Sequence, residues 1–254
     1  MIDKIIDLYR EKTKKECYRI EIEEGVSPSI MDDKIGGIPY LPAGEEYPLD
    51  KNNNPMVLLI QINLKNIELE NYPKEGILEI FIDRDCSWPC DYKIKYFKDI
   101  TDYRKDLDEI NIENEIYNKP LKINLFKDVE HMPTSDYRFH GVISEVVSEA
   151  TESQINDFSE VEKIFNENGY DIYEKISENI NIFAGNLSGY ADFTQTDPRP
   201  IKNAEEKVEC LVKIDSNLGH GIMIGDSGII FSFISKEDIK TSNFYEAIVD
   251  WDCL

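Results

Sequence analysis

Short apolar or alternating segments, bounded by Gly, Pro and Asn, recur along most of the chain. Five lie between residues 21 and 147, and two follow in the C-terminal part. Segments of this length and composition are typical of β-strands. The predicted strands are 57–64, 77–82, 92–97, 121–126, 138–147, 209–215 and 229–234. The pattern therefore predicts a protein dominated by β-sheet.

Apolar residues at helical spacing mark the remaining elements. They predict an amphipathic helix within residues 2–18 and a pair of helices within 152–182. Residues 235–238 resemble a capping box, which predicts a last short helix. Residues 99–118 are acidic and weakly periodic, so we expect an exposed turn and helix there.

The second strand region superposes on the first with one constant offset of 152 residues. Eight identities fall on this register over residues 36–82 without a gap. They are Gly37/Gly189, Pro48/Pro200, Leu59/Leu211, Ile62/Ile214, Gly76/Gly228, Ile77/Ile229, Phe81/Phe233 and Ile82/Ile234. Self-similarity at a fixed period indicates duplication. The predicted fold class is α+β, predominantly antiparallel β, with an internally duplicated β unit and peripheral helices.

Four segments follow from these patterns. They are an N-terminal helix (1–20), a first β-rich unit (21–150), a helical connector (151–182) and a second β-rich unit (183–254). We expect one compact domain, in which the two units either share a sheet or face each other about a pseudo-twofold axis.

Ordered motifs occupy both units. The first unit carries Gly-Gly-Ile-Pro-Tyr-Leu-Pro at 36–42, Leu-Leu-Ile-Gln-Ile-Asn at 58–63 and Gly-Ile-Leu-Glu-Ile-Phe at 76–81. The second carries Phe-Thr-Gln-Thr-Asp-Pro-Arg at 193–199, Gly-Asp-Ser-Gly at 225–228 and Asp-Trp-Asp-Cys at 250–253. Together they resemble the bacterial YwqG-like family, whose biochemical function is not established. The resemblance implies a β-rich fold, and it supplies no catalytic residue, substrate or cofactor.

The net charge is −23, from 51 acidic and 28 basic side chains. A surface of this sign repels nucleic-acid phosphates and anionic lipids, so neither is an expected partner. The longest apolar run, 56–60, is too short to span a bilayer, and acidic residues stand where a signal peptide would be apolar. We therefore expect a cytoplasmic protein.

The cysteines and histidines show no metal-site or catalytic spacing. Five scattered cysteines suit reduced, structural thiols. Cys86 and Cys90 enclose three residues, and no second Cys or His pair completes a zinc site. No metal or other cofactor is therefore predicted.

Polar side chains recur at matching positions of the two units. Strict alternation places Gln61 and Asn63 on one strand face together with Leu59, and Lys213 and Asp215 in the matching arrangement. Such groups could line a shared cleft and orient a small polar ligand. The alternative is that they point to solvent or close a buried hydrogen-bond network.

Two loops supply the remaining candidate ligand contacts. Asp197 and Arg199 follow a turn signal, and Asp226 lies in a tight-turn sequence. Loops on a rigid sheet commonly carry binding sites, although turn geometry alone also explains these residues.

Two functional hypotheses fit these observations, and a third, a structural subunit of a larger assembly, requires an exposed apolar patch that the sequence alone does not reveal. The first is a binding or interaction module whose acidic surface captures a basic protein partner. The alternative is an enzyme acting on a small polar substrate in a cleft between the two units, with Gln61, Lys213, Asp215 and Asp226 as the residues to test. The sequence leaves the oligomeric state open.

Overall fold

The computed structural model describes residues 1–85, 89–107 and 114–254. Its strands, in chain order, are β1 (Lys15–Ile22), β2 (Lys34–Ile35), β3 (Val57–Asn63), β4 (Ile77–Ile82), β5 (Tyr92–Phe97), β6 (Leu121–Glu130), β7 (Gly185–Leu187), β8 (Glu209–Asp215), β9 (Ile229–Ile234) and β10 (Ile248–Asp252). The helices are α1 (Ile2–Thr13), α2 (Phe139–Thr151), α3 (Phe158–Glu167), α4 (Ile172–Ser177) and α5 (Lys236–Lys240). The predicted β-rich α+β class is confirmed.

All ten strands join one antiparallel sheet in the order β10-β9-β8-β7-β1-β6-β2-β3-β4-β5. The long pair β1 and β6 lies at its centre, with a continuous register from Lys15↔Glu130 to Ile22↔Ile123. The two predicted β-rich units therefore share a sheet. Strands β5 and β10 lie at opposite ends of the strand order, yet the ring centroids of Tyr96 on β5 and Phe244, just before β10, are 5.1 Å apart. The sheet therefore curls into a nearly closed barrel.

The two largest apolar clusters among the described residues stabilise this architecture. The larger fills the concave side of the sheet and draws on strands from both ends of the strand order, including Ile60, Ile80, Ile214 and Ile230. Strands β3, β4, β8 and β9 are buried on both faces, which explains their continuous apolar runs. The smaller cluster holds α1 to α4 together.

A β-bulge corrects the predicted alternation along β3. The register shifts between Leu58 and Ile60, and a matching shift between Cys210 and Val212 lies 152 residues later on β8. Because a bulge inserts one extra residue, both Leu59 and Ile60 belong to the larger apolar cluster, and Leu58 packs on the opposite face of the sheet. The expectation that Leu59 shares a face with Gln61 was therefore wrong.

Three predicted elements differ in the structure. The predicted strand 138–147 is instead the first part of α2, which begins at Phe139, because its buried positions recur at helical rather than alternating spacing. The helix predicted within 2–18 ends at Thr13, and β1 follows at Lys15. The described part of 99–118 contains no α-helix, while 108–113 lie outside the described residues, as does Cys86.

Candidate functional site

A row of polar side chains crosses the convex face of the sheet in its first half. Lys34, Gln61, Glu79 and Lys95 occupy paired positions on β2, β3, β4 and β5. The first three are buried. Buried polar groups need partners, so this row either stabilises the fold or serves a site.

Gln61 is fully satisfied by backbone groups. Its amide nitrogen donates to the carbonyl oxygens of Ile30 and Asp32, at 2.9 Å each, and its oxygen accepts from the N–H of Tyr40 at 2.8 Å. Gln61 thereby fixes the segment that leads into β2.

Lys34 is held in the same way. Its Nζ donates to the carbonyl oxygens of Ser29 and Ile30, at 3.0 Å each, and the side chain is almost fully buried. Burial lowers the pKa of Lys34 from 10.5 to about 8, although Glu79 opposes this shift. The ammonium is thus charged at pH 7 inside the protein.

Glu79 is the least satisfied member of the row. Neither carboxylate oxygen meets a donor at hydrogen-bonding distance and angle within the described residues. Burial raises the pKa of Glu79 well above its ordinary value, while Lys34 lowers it.

A pocket of about 410 Å³ opens beside Lys34, and we call it the basic pocket. Four basic side chains and no acidic one line it among the described residues: Lys34, Arg104, Lys105 and Lys119. Arg104 and Lys105 also pair with carboxylates that are not part of the lining, Asp106 at 2.5 Å and Asp102 at 3.8 Å. The apolar part of the wall consists of Pro28, Ile30, Ile38, Tyr103, Leu107 and Pro120.

In the second half, Lys213 faces a buried carboxylate. Its Nζ lies 3.8 Å from Glu130, and both side chains are buried. Glu130 also accepts hydrogen bonds from the backbone N–H groups of Phe183 and Tyr190, at 2.7 Å each, and from the Asn186 amide at 2.8 Å. These contacts tie the end of β6 to β7 and β8.

Asp197 and Arg199 come together in a second buried network. The Arg199 guanidinium donates to Asp197 at 2.6 Å and to Asp136 at 2.8 Å. It also lies 4.4 Å from the ring centre of Phe233. Arg199 and Arg138 lower the pKa of Asp136 although burial raises it. The network links the loop before α2 to the second half of the sheet.

The other predicted contacts lie apart from these groups. Asn63 and Asp215 each accept a backbone N–H at the start of a short 3₁₀ helix, Leu64–Asn66 and Ser216–Leu218. Asp226 is exposed. Five strand steps separate Gln61 on β3 from Lys213 on β8, about 24 Å along the sheet at the usual strand spacing. Their role in ligand binding stays a prediction.

Sequence reasoning missed the basic side chains of the pocket. Lys34 stands 152 residues before Asn186, and both pair with the polar residue of the next strand, Gln61 and Lys213 respectively. The polar residues at matching positions of the two units, Lys34 and Asn186, were therefore the sequence signal that could have identified Lys34. Arg104, Lys105 and Lys119 reach the pocket from loops, and no periodicity marks them.

Within residues 1–85, 89–107 and 114–254, no three His, Cys, Asp or Glu side chains are grouped to hold a metal ion. None of the helices in this part of the chain combines the length and apolar character needed to cross a bilayer.

Comparison with known proteins yields one family. The model of a domain of unknown function (DUF1963) matches residues 33–253, which cover most of the chain. No curated protein matches it.

Proposed function

We propose that this chain, which belongs to the family described as a domain of unknown function (DUF1963), binds a small organic anion in the basic pocket. The observation that carries the proposal is the lining: four basic side chains and no acidic one among the described residues, in a chain of net charge −23. A concave site of about 410 Å³ falls within the range of ligand pockets.

Lys34 supplies the central charge. An ammonium held away from bulk water interacts more strongly with an anion than an exposed one, because the local dielectric is lower. The carbonyl oxygens of Ser29 and Ile30 fix its position before a ligand arrives. Gln61 holds the Ile30 carbonyl from the other side and acts as a positioning residue.

The rest of the wall indicates the ligand class. Tyr103, Ile30 and Leu107 offer apolar surface next to the cations. A ligand that pairs with both surfaces carries an acidic group and an apolar part, as an aromatic carboxylate does. A fully hydrated inorganic anion would leave the apolar wall without contacts.

Calorimetric titration tests this function. Benzoate, indole-3-acetate, citrate and inorganic phosphate are titrated separately into the full chain at pH 7 and low salt. We expect an organic carboxylate to bind more tightly than phosphate. Lys119→Ala should weaken binding, while Lys163→Ala, on the exposed face of α3, should leave it unchanged. If none of the four anions binds, this function is wrong.

The acidic surface supports a second proposal, the capture of a basic protein partner. Residues 139–182, which include α2, α3 and α4, carry ten acidic side chains and two lysines. Association with a cationic peptide such as oligo-lysine should then weaken steeply as salt rises. Association that salt leaves unchanged, or none at all, contradicts this version.

We further propose that the two halves arose by internal duplication. Elements offset by 152 residues support it: β3 with β8, β4 with β9, and the two 3₁₀ helices that follow β3 and β8. The matched β-bulges and the matched pairing of Lys34 and Asn186 support it too. In a crystal structure, residues 57–82 should superpose on 209–234 without a gap, and a different best offset would contradict duplication.

A further inference from the structure

Another cavity, of about 230 Å³, opens beside the short strand β2, and we call it the β2-end cavity. Asp33, just before β2, and Asn63, at the end of β3, contribute to its lining, as do residues 124–126 of β6. Tyr18, Asn66 and Ile67 complete the lining. The cavity shares no residue with the basic pocket, so an inference about it stands apart from the proposed function.

Asp33 is the one charged residue of this lining among the described residues. Its Oδ1 accepts the backbone N–H of Asn63 at 2.6 Å. Its Oδ2 accepts no hydrogen bond from the described residues, and it is not one of their solvent-inaccessible atoms without a partner, so solvent reaches it. The carboxylate is therefore half satisfied by the fold and half available to a ligand.

The charge of Asp33 is poorly compensated. Lys122 and Lys34 both attract it, but Lys122 pairs with Glu23 at 3.1 Å, and Lys34 donates to two backbone carbonyl oxygens. Burial outweighs these attractions and raises the pKa of Asp33 to about 6. The carboxylate is thus ionised at neutral pH without a cation in contact, and a positively charged ligand would supply one.

The edge of β6 adds a backbone acceptor. Strand β2 covers β6 only as far as Lys122, and the N–H of Ile123 donates to the carbonyl oxygen of Asp33 at 3.0 Å. Leu125 lies two residues further along the strand, so its N–H and C=O point to the same side as those of Ile123. No strand of the described residues pairs with Leu125 on that side. Its carbonyl oxygen is therefore free beside the cavity.

The open polar groups of the cavity are mostly acceptors. They are Asp33 Oδ2, the Leu125 carbonyl oxygen and the side-chain oxygens of Asn66 and Asn124. A primary ammonium group donates three hydrogen bonds and carries the charge that Asp33 lacks beside it. An anion would instead be repelled by Asp33, and no basic side chain of the described residues lines this cavity.

We propose that the β2-end cavity binds the ammonium group of a small primary alkylamine, with the Asp33 carboxylate as its ion partner. Tyr18 and Ile67, which belong to the larger apolar cluster, and the exposed ring of Phe126 offer surface to the alkyl chain. The volume lies below the usual range of ligand pockets, which suits a short chain. The sequence marked Asn63 as a candidate ligand contact, but it did not mark Asp33.

An NMR titration of the ¹⁵N-labelled full chain tests the proposal at pH 7.5 and low salt. The probes are n-butylamine, Nα-acetyl-lysine amide and 1-butanol, each added separately. At least one amine should bind and shift the backbone amide signals of Asn63 and Leu125, whereas 1-butanol, which lacks the charge, should bind at least tenfold more weakly. Tighter binding of n-butylamine identifies a free amine as the ligand, and tighter binding of the lysine amide identifies a lysine side chain.

Asp33→Asn removes the charge but keeps an acceptor for the Asn63 N–H, so the variant should fold. Its affinity for the amine should fall at least tenfold, the usual effect of losing a hydrogen bond to a charged group. Asp7→Asn is the matched control. It removes the same charge from an exposed position of α1, outside the lining of the cavity, and should leave binding unchanged.

A second variant tests for a gain of affinity. Asn66 is exposed and its side chain makes no hydrogen bond within the described residues, so Asn66→Asp should fold and place a second carboxylate at the cavity. It should tighten amine binding about twofold to fivefold, the usual effect of one exposed charge pair. The proposal is overturned if neither amine binds, if 1-butanol binds as tightly as the amines, if Asp33→Asn binds as the wild type does, or if Asn66→Asp weakens binding.

Discussion

The ammonium of Lys213 lies 3.8 Å from the carboxylate of Glu130, and solvent reaches neither side chain. Lys213 was a candidate ligand contact in the sequence, and in the fold it is the charge partner of a buried glutamate. Removing one member of a buried pair costs about 3–5 kcal/mol, because the other charge is left uncompensated.

We therefore expect Lys213→Met to lower the free energy of unfolding by about 3–5 kcal/mol in urea denaturation. The double variant Glu130→Gln/Lys213→Met should recover part of that loss, because it removes both charges and keeps most of the volume. A double variant that is less stable than Lys213→Met alone would contradict this account.

Gly189 is required by the same carboxylate. A Cβ atom at this position would overlap Glu130 and the Asn186 amide, both of which are buried. Gly189→Ala should therefore cost several kcal/mol, at least the ~1–3 kcal/mol of overpacking a buried site.

The control for Gly189 is a glycine in the first turn of a helix. Gly141 lies in α2, and a Cβ atom there meets nothing within 4 Å. Gly141→Ala should stabilise the protein by less than the ~1 kcal/mol seen in a helix interior, because alanine favours the helix but this position lies in its first turn. Thermal unfolding of both variants measures the contrast, and equal effects would refute the assigned role of Gly189.

Asp33 and its neighbour Asp32 should affect stability in opposite directions. Burial raises the pKa of Asp33 from 3.8 to about 6, although its side chain accepts the Asn63 N–H at 2.6 Å. The folded state therefore holds its proton more tightly than the unfolded state, and stability falls as pH rises from about 4 to 6. Asp33→Asn removes this loss and should stabilise the protein at pH 7 by up to about 3 kcal/mol.

For Asp32 the sign is reversed. Hydrogen bonds from Ser29 lower its pKa, so its contribution is present at neutral pH and is lost as pH falls below 3.8. Asp32→Asn should thus reduce stability at pH 7. Urea titrations of both variants at pH 4 and pH 7 check the pair, and a pH-independent effect of Asp33→Asn would contradict the assigned cause.

Two buried cysteines should resist alkylation. Burial raises the pKa of Cys17 and of Cys210 to about 12, and only the thiolate reacts. Native protein treated with iodoacetamide at pH 8 should carry no label at either position, whereas denatured protein should carry both. Peptide mass spectrometry reads the sites, and rapid native labelling of Cys210 would show that its strand opens readily.

The sequence predicts strands better than it predicts what their polar residues do. Continuous apolar runs predict the bounds of β3, β4, β8 and β9 to within one residue. They do so because strands that are buried on both faces consist almost entirely of apolar residues. Helix α2 was misread because its β-branched residues also suit a strand. The bulge at Leu58 depends on pairing with β4, which no local pattern reveals.

The candidate site was less accessible to sequence reasoning. Gln61 and Lys213 occupy matching positions in the sequence, but in the fold they lie five strand steps apart. Each is buried with its own partners, Gln61 with the Ile30 carbonyl and Lys213 with Glu130. The basic pocket forms where Lys34 meets residues 104–120, far away along the chain. Contacts between residues that are far apart in the sequence leave no periodic signal, so only the three-dimensional structure reveals them.

Substitution of Lys34 should affect ligand binding much more than the free energy of unfolding. Burial lowers its pKa from 10.5 to about 8, so the charged form costs up to about 3 kcal/mol in the folded state at pH 7. That cost is relieved as pH rises from about 8 to 10.5, because the unfolded state then holds the proton more tightly. Lys34→Met removes the cost but also the two hydrogen bonds to Ser29 and Ile30.

We therefore expect Lys34→Met to fold with a stability within about 1 kcal/mol of the wild type, since the two effects offset each other. Its affinity for an organic carboxylate should fall at least tenfold at pH 7. In the wild type the same affinity should decrease as pH rises through about 8, where Lys34 loses its proton. A variant that binds as the wild type does would show that Lys34 is structural and that the anion, if it binds, uses other residues.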